Sequence, residues 1–260
     1  ALAASADQLP DLRHVVQPGD TLEQIAQRYL QDPQQWPELA SVNGVRNPRQ
    51  LPVGSVIVIP KSLLGYQNAT VDYLQGSAQL RSGPSQGWQP LAVGMNITEG
   101  DEIQVAEHSY ATLRLSDGSQ VQISENSQLR LQQLRKNSRS QAQQSVIELQ
   151  KGGVDSSVIP ADTHAGARGK RRFDIKTPLA TTSVRGTRFS VHLSGSGNAV
   201  TAVDQGVVAV GATRAAGAAR PVAVPAGSGL AVYANGEAGA VVRQLDAPNL
   251  QGNPAVFEDS

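Results

Sequence analysis

Four histidines, His14, His108, His164 and His192, are the side chains best suited to move protons or hold a metal in this 260-residue chain. They are scattered. None stands in the His-x-x-x-His or Glu-x-x-His spacing that would put two ligands on one helix face. Cysteine is absent, so thiolate nucleophiles, thiolate metal sites and disulfides are excluded, and the redox compartment is left open. There is no phosphate loop or dinucleotide fingerprint. Glycan hydrolysis would need two carboxylates facing across a cleft. Glu99, Asp101 and Glu102 are neighbours in sequence, but Glu-Gly-Asp-Glu before a strand reads as an exposed turn. No catalytic residue, metal ligand or cofactor is expected, and the chemistry to look for is that of binding.

Charge narrows the ligand. The chain carries 22 basic and 22 acidic residues, a formal net charge of zero. A dedicated nucleic-acid binder carries a basic excess that displaces counterions, so nucleic acid is not an expected partner. The one basic cluster, Arg168 to Arg172, gathers four charges without interleaved aromatics and reads as a solvated loop. Arg185 and Arg188 flank Gly186 in Arg185-Gly186-Thr187. Glycine inside a strand pattern marks a bend, and the two arginines are candidate contacts for a partner's carboxylates.

The elements that must carry these residues change character along the chain. Val15-Val16 suits a strand, and Pro18-Gly19 forces a turn. Asp20 or Thr21 then caps a helix whose apolar face is Leu22, Ile25, Ala26 and Tyr29. From Gly76 onward alternation replaces helical spacing. Ala111 to Ser116 and Ser119 to Ile123 are two strands around Asp117-Gly118, with Leu113, Leu115, Val121 and Ile123 on one face. Ser127 to Leu134, Val146 to Leu149, Phe173 to Lys176, Thr187 to Leu193 and Val200 to Val210 alternate likewise. Such closely spaced strands predict an all-β domain, either a stacked-strand, β-solenoid-like coil or a sandwich. Residues 135–144 and 163–172 read as polar loops, and 211–228, rich in Ala, Gly and Pro, as irregular connection. His192, between Val191 and Leu193, is expected to face solvent. No run of about 18 apolar residues occurs, so no membrane-spanning helix is expected. Ala1 to Asp7 has the small-residue character of the end of a secretory signal.

Residues 13–60 resemble a LysM domain, a module that binds N-acetylglucosamine-containing glycans such as peptidoglycan. The likeness rests on Val15 to Leu22, on Trp36-Pro37-Glu38-Leu39-Ala40-Ser41-Val42-Asn43-Gly44, and on Leu51 to Pro60 as closing strand. The resemblance implies a small α+β (βααβ) N-terminal module. It also implies a groove with Gly19, Asp20, Thr21 and Leu22 on one wall and Asn47, Pro48, Arg49, Gln50 and Leu51 on the other. Gly19 would let sugar approach the backbone. Leu22 and Leu51 either touch an acetyl methyl or close the small core. Trp36 is a tempting stacking residue, but packing into the module is the expected role. With four basic and four acidic residues in 13–60, recognition by hydrogen bonds is expected rather than charge attraction.

Residues 97 to about 211 resemble a FecR domain. The carrying pieces are Glu99-Gly100-Asp101-Glu102-Ile103, Ala111 to Ser119, Leu149 to Val154, Phe173 to Ala180 and Val184 to Phe189. This resemblance implies an extracytoplasmic β-rich module that works by contact with an envelope protein partner. The sigma-regulator role of its namesakes is not carried over. That role needs a cytoplasmic head and a membrane span, and these 260 residues offer a glycan-binding resemblance instead.

The expected organisation is a leader (1–12), the LysM-like module (13–60), a linker (61–75), a β-rich domain (76–250) with its FecR-like core, and a tail (251–260). The expected function is non-catalytic binding of peptidoglycan or another GlcNAc-containing glycan in the periplasm, with the β domain as a protein-interaction platform. The alternative is an envelope sensor or regulator.

Overall fold

The computed structural model describes residues 11–30, 33–83, 85–136, 143–160, 171–213 and 220–243. The signal-like Ala1 to Asp7, the basic residues Arg168 to Lys170 and the tail 251–260 lie outside the described residues. The protein is mostly β, with 51% strand against 11% helix. Among the described residues helix is confined to a small N-terminal part, and a large sheet system follows.

In the N-terminal part, β1 (Leu12–Val15) pairs antiparallel with β2 (Val56–Ile59), aligning Arg13 with Val58. Between them come α1 (Leu22–Tyr29), a 3-10 turn (Pro33–Gln35) and α2 (Trp36–Val42). Leu22, Ile25 and Ala26 of α1 meet Leu39 of α2 and Ile57 and Ile59 of β2 in one small core. The core follows from pattern: α1 offers one apolar stripe and β2 one apolar face.

The stretch read as linker carries structure. Helix α3 (Lys61–Leu64) buries Leu63 and Leu64 in the N-terminal core, and β3 (Ala69–Gln75) already belongs to the large sheet system. Between them the Gln67 amide donates to Leu134 O (2.7 Å), and the Lys136 amide donates to Gly65 O (2.7 Å). Tyr66 packs against the N-terminal core while the Arg135 guanidinium lies over its ring, 5.4 Å from the centroid.

The large system is two ladders. One runs β5 (Gln89–Pro90), β4 (Ala78–Ser82), β7 (Asp101–Val105), β10 (Gln128–Lys136), β11 (Gln143–Ser157), β12 (Arg171–Lys176), β13 (Ala180–Val184), β16 (Val207–Ala212), β17 (Val222–Pro225). The other runs β6 (Asn96–Ile97), β3, β8 (Tyr110–Leu115), β9 (Gln120–Ile123), β11, β14 (Arg188–Leu193), β15 (Ala199–Gln205), β18 (Ser228–Val232), β19 (Val242–Arg243). Inward residues of both, among them Ile103, Leu113, Ile123, Leu131, Ile147, Ile175, Phe189 and Val203, form a single hydrophobic cluster. Burial of that shared face is the main driving force for the pairing.

Strand β11 joins the ladders. Its first part pairs with β10 and β12, and its last part, from Gly152, with β9 and β14. The crossing occurs at Gly152-Gly153. Gly152 has φ +77°, and a Cβ there would lie 2.6 Å from Ser127 Cα. Only glycine tolerates both the left-handed backbone and that approach.

Three expectations are corrected. Residues 211–228 are not wholly irregular: Val222 and Val224 alternate, Val224 is buried, and β17 adds to β16 with Pro225 at its end on an edge strand. Residues 135–136 and 143–144 extend β10 and β11, and Arg171-Arg172 opens β12, where Arg172 Nε donates to Asp174 (2.7 Å). Glu99-Gly100 is the expected turn before a strand, but the carboxylates of Glu99, Asp101 and Glu102 are not exposed. Glu99 accepts two bonds from Arg135 (3.0 and 2.6 Å), Asp101 accepts from the Thr98 amide and hydroxyl (2.8 and 3.1 Å), and Glu102 pairs with Arg81. Burial pushes the Asp101 carboxyl up. All three carboxylates are consumed in holding strands and turns together.

Candidate functional site

The first wall is built by a turn and a cap. Gly19 takes φ +88° with open space around it, so the backbone there is exposed to approach. Thr21 is the N-cap of α1. Its hydroxyl accepts from the Gln24 amide (3.2 Å), and the Gln24 side chain accepts from the Thr21 amide (3.0 Å), a reciprocal capping box. Thr21 rather than Asp20 therefore caps the helix.

Asp20 has a different task. Its Oδ2 accepts from the Gln17 amide (2.8 Å), closing the Pro18-Gly19 turn, and from His14 Nε2 (2.8 Å). With the carboxylate as acceptor, His14 Nε2 donates, and its Nδ1 is hydrogen-bonded to the Tyr29 hydroxyl (3.0 Å). The Gln17 amide, then His14, hold the Asp20 carboxyl below its ordinary range. The first wall is thus tied to the buried end of β1 and to the last residue of α1. Sequence reasoning missed this triad, because His14, Asp20 and Tyr29 share no motif spacing.

The second wall is a loop that satisfies itself. The Asn47 side chain accepts from the Arg49 amide (3.2 Å) and donates to Gln50 Oε1 (3.2 Å). The two walls meet directly: the Leu22 amide donates to Pro48 O (2.8 Å). Gly19, Asn47, Arg49 and Gln50 are exposed along the rim, while Asp20, Thr21, Pro48 and Leu51 are half-buried. The Leu22 side chain is wholly inside the core, and Leu51 packs against that core. The Leu22–Pro48 bond sets the segments 19–22 and 47–51 side by side, with Leu22 contributing its backbone alone.

The rim is braced from behind by Asn43, a residue the sequence marked only as a helix stop. Its side-chain amide donates to Leu39 O (2.9 Å) and Val58 O (2.7 Å), and its Oδ1 accepts from the Val58 amide (2.7 Å). Asn43 thus satisfies the edge of β2 that β1 does not reach, in place of a further strand.

The FecR-like part offers a polar groove on the outer face of the second ladder, lined by Gln120, Gln122, Asp155, Arg188 and Asp204 among others, of about 240 Å³. Burial, then Asp204, push the Asp155 carboxyl up. Arg188 stands here, whereas Arg185 is exposed at the turn before β14, where Gly186 has φ +87° and touches Pro160. The two arginines do not share a site. His192 is exposed, its ring against Gly153. Among the described residues no group of three or more His, Asp or Glu is placed to hold a metal.

Family models match in the same order as these features. The LysM domain model matches residues 14–60, and the FecR protein model matches residues 101–209. The chain carries a LysM domain followed by a FecR domain. Residues 19–22 and 47–51 fall within the LysM match, and the two ladders hold the FecR match. Two curated relatives, Esterase Rv1288 and Esterase MT1326 of Mycobacterium tuberculosis strains H37Rv and CDC 1551, are each 32% identical over 113 residues. The alignment covers 41% of this chain and 24% of each relative, so the chain spans about a quarter of their length. Among solved structures, an anti-sigma factor candidate from Parabacteroides distasonis ATCC 8503 is similar at 18% identity and a TM-score of 0.43. That similarity covers 55% of this chain and 59% of the other. Among the described residues no helix is long and apolar enough to cross a membrane.

Proposed function

We propose that this protein holds GlcNAc-containing wall glycan, such as peptidoglycan, through its LysM domain, and presents its FecR ladders to a protein partner in the periplasm. The observation that carries the reading is the rim at Gly19 to Leu22 and Asn47 to Leu51, stitched by the Leu22–Pro48 bond within a LysM match. A rigid rim of backbone and amide groups with balanced charge suits a neutral sugar, which is held by oriented hydrogen bonds. A single shallow groove binds modestly, and a second attachment through the ladders would add avidity.

Full-length protein should sediment with purified peptidoglycan, and chitin oligomers should shift the amide NMR resonances of residues 19–22 and 47–51. A spectrum unmoved by those oligomers, together with protein left in the supernatant, rejects glycan binding.

The FecR match favours a second reading, an envelope regulator whose ladders receive a signal. A stable complex recovered from envelope extracts by the full chain, and lost on Arg188→Glu, would support it. The esterase relatives do not extend to a catalytic proposal: they match over a minor part of their length, and the one Gly-x-Ser-x-Gly spacing in the sequence, Gly83 to Gly87, runs from strand β4 to strand β5 rather than from a strand into a helix.

A further inference from the structure

Beside the rim lies a shallow depression of about 320 Å³ lined by Glu23, Gln27, Pro33, Gln34 and Trp36. Glu23 follows Leu22 directly, so the depression begins where the first wall of the groove ends. Glu23 and Gln27 stand one turn apart on the exposed side of α1, and Trp36 opens α2 opposite them. Trp36 is only half-buried. It packs against the LysM core with part of its indole and lines the depression as well.

We propose that this depression is a second saccharide subsite, in which one pyranose ring of a longer GlcNAc-containing chain stacks on Trp36 as that chain leaves the groove along α1. The chemistry of the lining carries the inference. A pyranose presents an apolar C–H face and a rim of hydroxyls. An indole face with an apolar neighbour, Pro33, receives the first; the Glu23 carboxylate and Gln27 amide are acceptors and donors for the second. Among the described residues no lysine or arginine lines the depression, which suits an uncharged ring. The subsite rests on the glycan reading of the groove but involves none of the rim residues.

Trp36 and Trp88 are the two tryptophans of the chain, and Trp88 lies far along the sequence beneath the Arg81 guanidinium. In a full-length Trp88→Phe variant the indole emission reports on Trp36 alone. Titration with chitin hexamer should shift that emission saturably and move the Trp36 indole N–H resonance, in step with the rim amides at 19–22 and 47–51. Loss of stacking in Trp36→Ala should weaken hexamer binding roughly three- to tenfold while sparing the dimer. Trp36→Phe, which keeps a ring and its packing, should retain most of the affinity. If the rim amides move and the Trp36 signals do not, the subsite is wrong and the groove stands. If neither moves, the groove reading fails and takes the subsite with it.

Discussion

Replacing Gly152 with alanine should unseat the crossing of β11 from one ladder to the other. Two effects add. The left-handed backbone at φ +77° disfavours any Cβ, by about 1–2 kcal/mol. The new Cβ would also lie 2.2 Å from Ser127 Oγ and 2.6 Å from Ser127 Cα. Ser127 is buried, and its hydroxyl accepts from the Gly153 amide (2.9 Å) and donates to Gly153 O (3.1 Å). It cannot rotate away without leaving buried groups unpaired, so backbone must move, at about 1–3 kcal/mol for the overlap and about 1 kcal/mol or more for the bonds. The sum is about 3–6 kcal/mol. Gly227 provides the control: φ is +73°, but nothing lies within 4 Å of a Cβ there. Gly227→Ala should therefore cost only about 1–2 kcal/mol. Urea unfolding of both full-length variants, followed by far-ultraviolet circular dichroism, isolates the steric part as the difference. Equal midpoints and equal slopes would show that the Gly152–Ser127 approach is not a constraint on the fold.

Three further outcomes are expected. Asn43→Ala strips three hydrogen bonds from Leu39 and Val58 and should destabilise the LysM domain by about 2–4 kcal/mol, read as faster hydrogen exchange at the Val58 amide. The Asp20 carboxyl is lowered in the folded state by the Gln17 amide and His14. Its contribution is therefore present above the ordinary carboxylate range and is lost as pH falls through the lowered value. Protection factors in residues 14–29, corrected for the intrinsic exchange rate at each pH, should fall on acidification, and Asp20→Asn should flatten that dependence. Arg135→Ala leaves Glu99 mostly buried without its cation and removes the cover from Tyr66. The cost should be about 3 kcal/mol, and NMR relaxation should then show the LysM domain tumbling independently of the ladders.

The site and the fold were legible in the sequence to different degrees. The Pro18-Gly19 turn, the Thr21 cap and the apolar stripe of α1 are local signals, and each appears where its residues stand. The Asp117-Gly118 turn and its flanking strands are equally local, with Leu113 opposite Val121. The two domain matches follow the order of those motifs. Reading the carboxylates of 99–102 as exposed failed because two of their partners, Arg135 and Arg81, are more than 20 residues away and are brought in by strand pairing; only Thr98 is local. Reading 61–75 as a connecting stretch missed that Leu63 and Leu64 finish one core while Val71 begins another.

What the sequence alone determined is therefore the near-neighbour content: which residues turn, cap, alternate and form each apolar face, and hence a small helix-bearing module ahead of a β-rich one. Tertiary structure alone decided which strands lie side by side, that β11 belongs to both ladders, that His14 and Tyr29 serve Asp20, and that Tyr66 and Arg135 join the modules. The physical reason is range. Backbone preference and hydrophobic periodicity act over a few residues, whereas register, ion pairing and close approach of glycine to a distant backbone exist only once burial of a shared core has brought remote segments together.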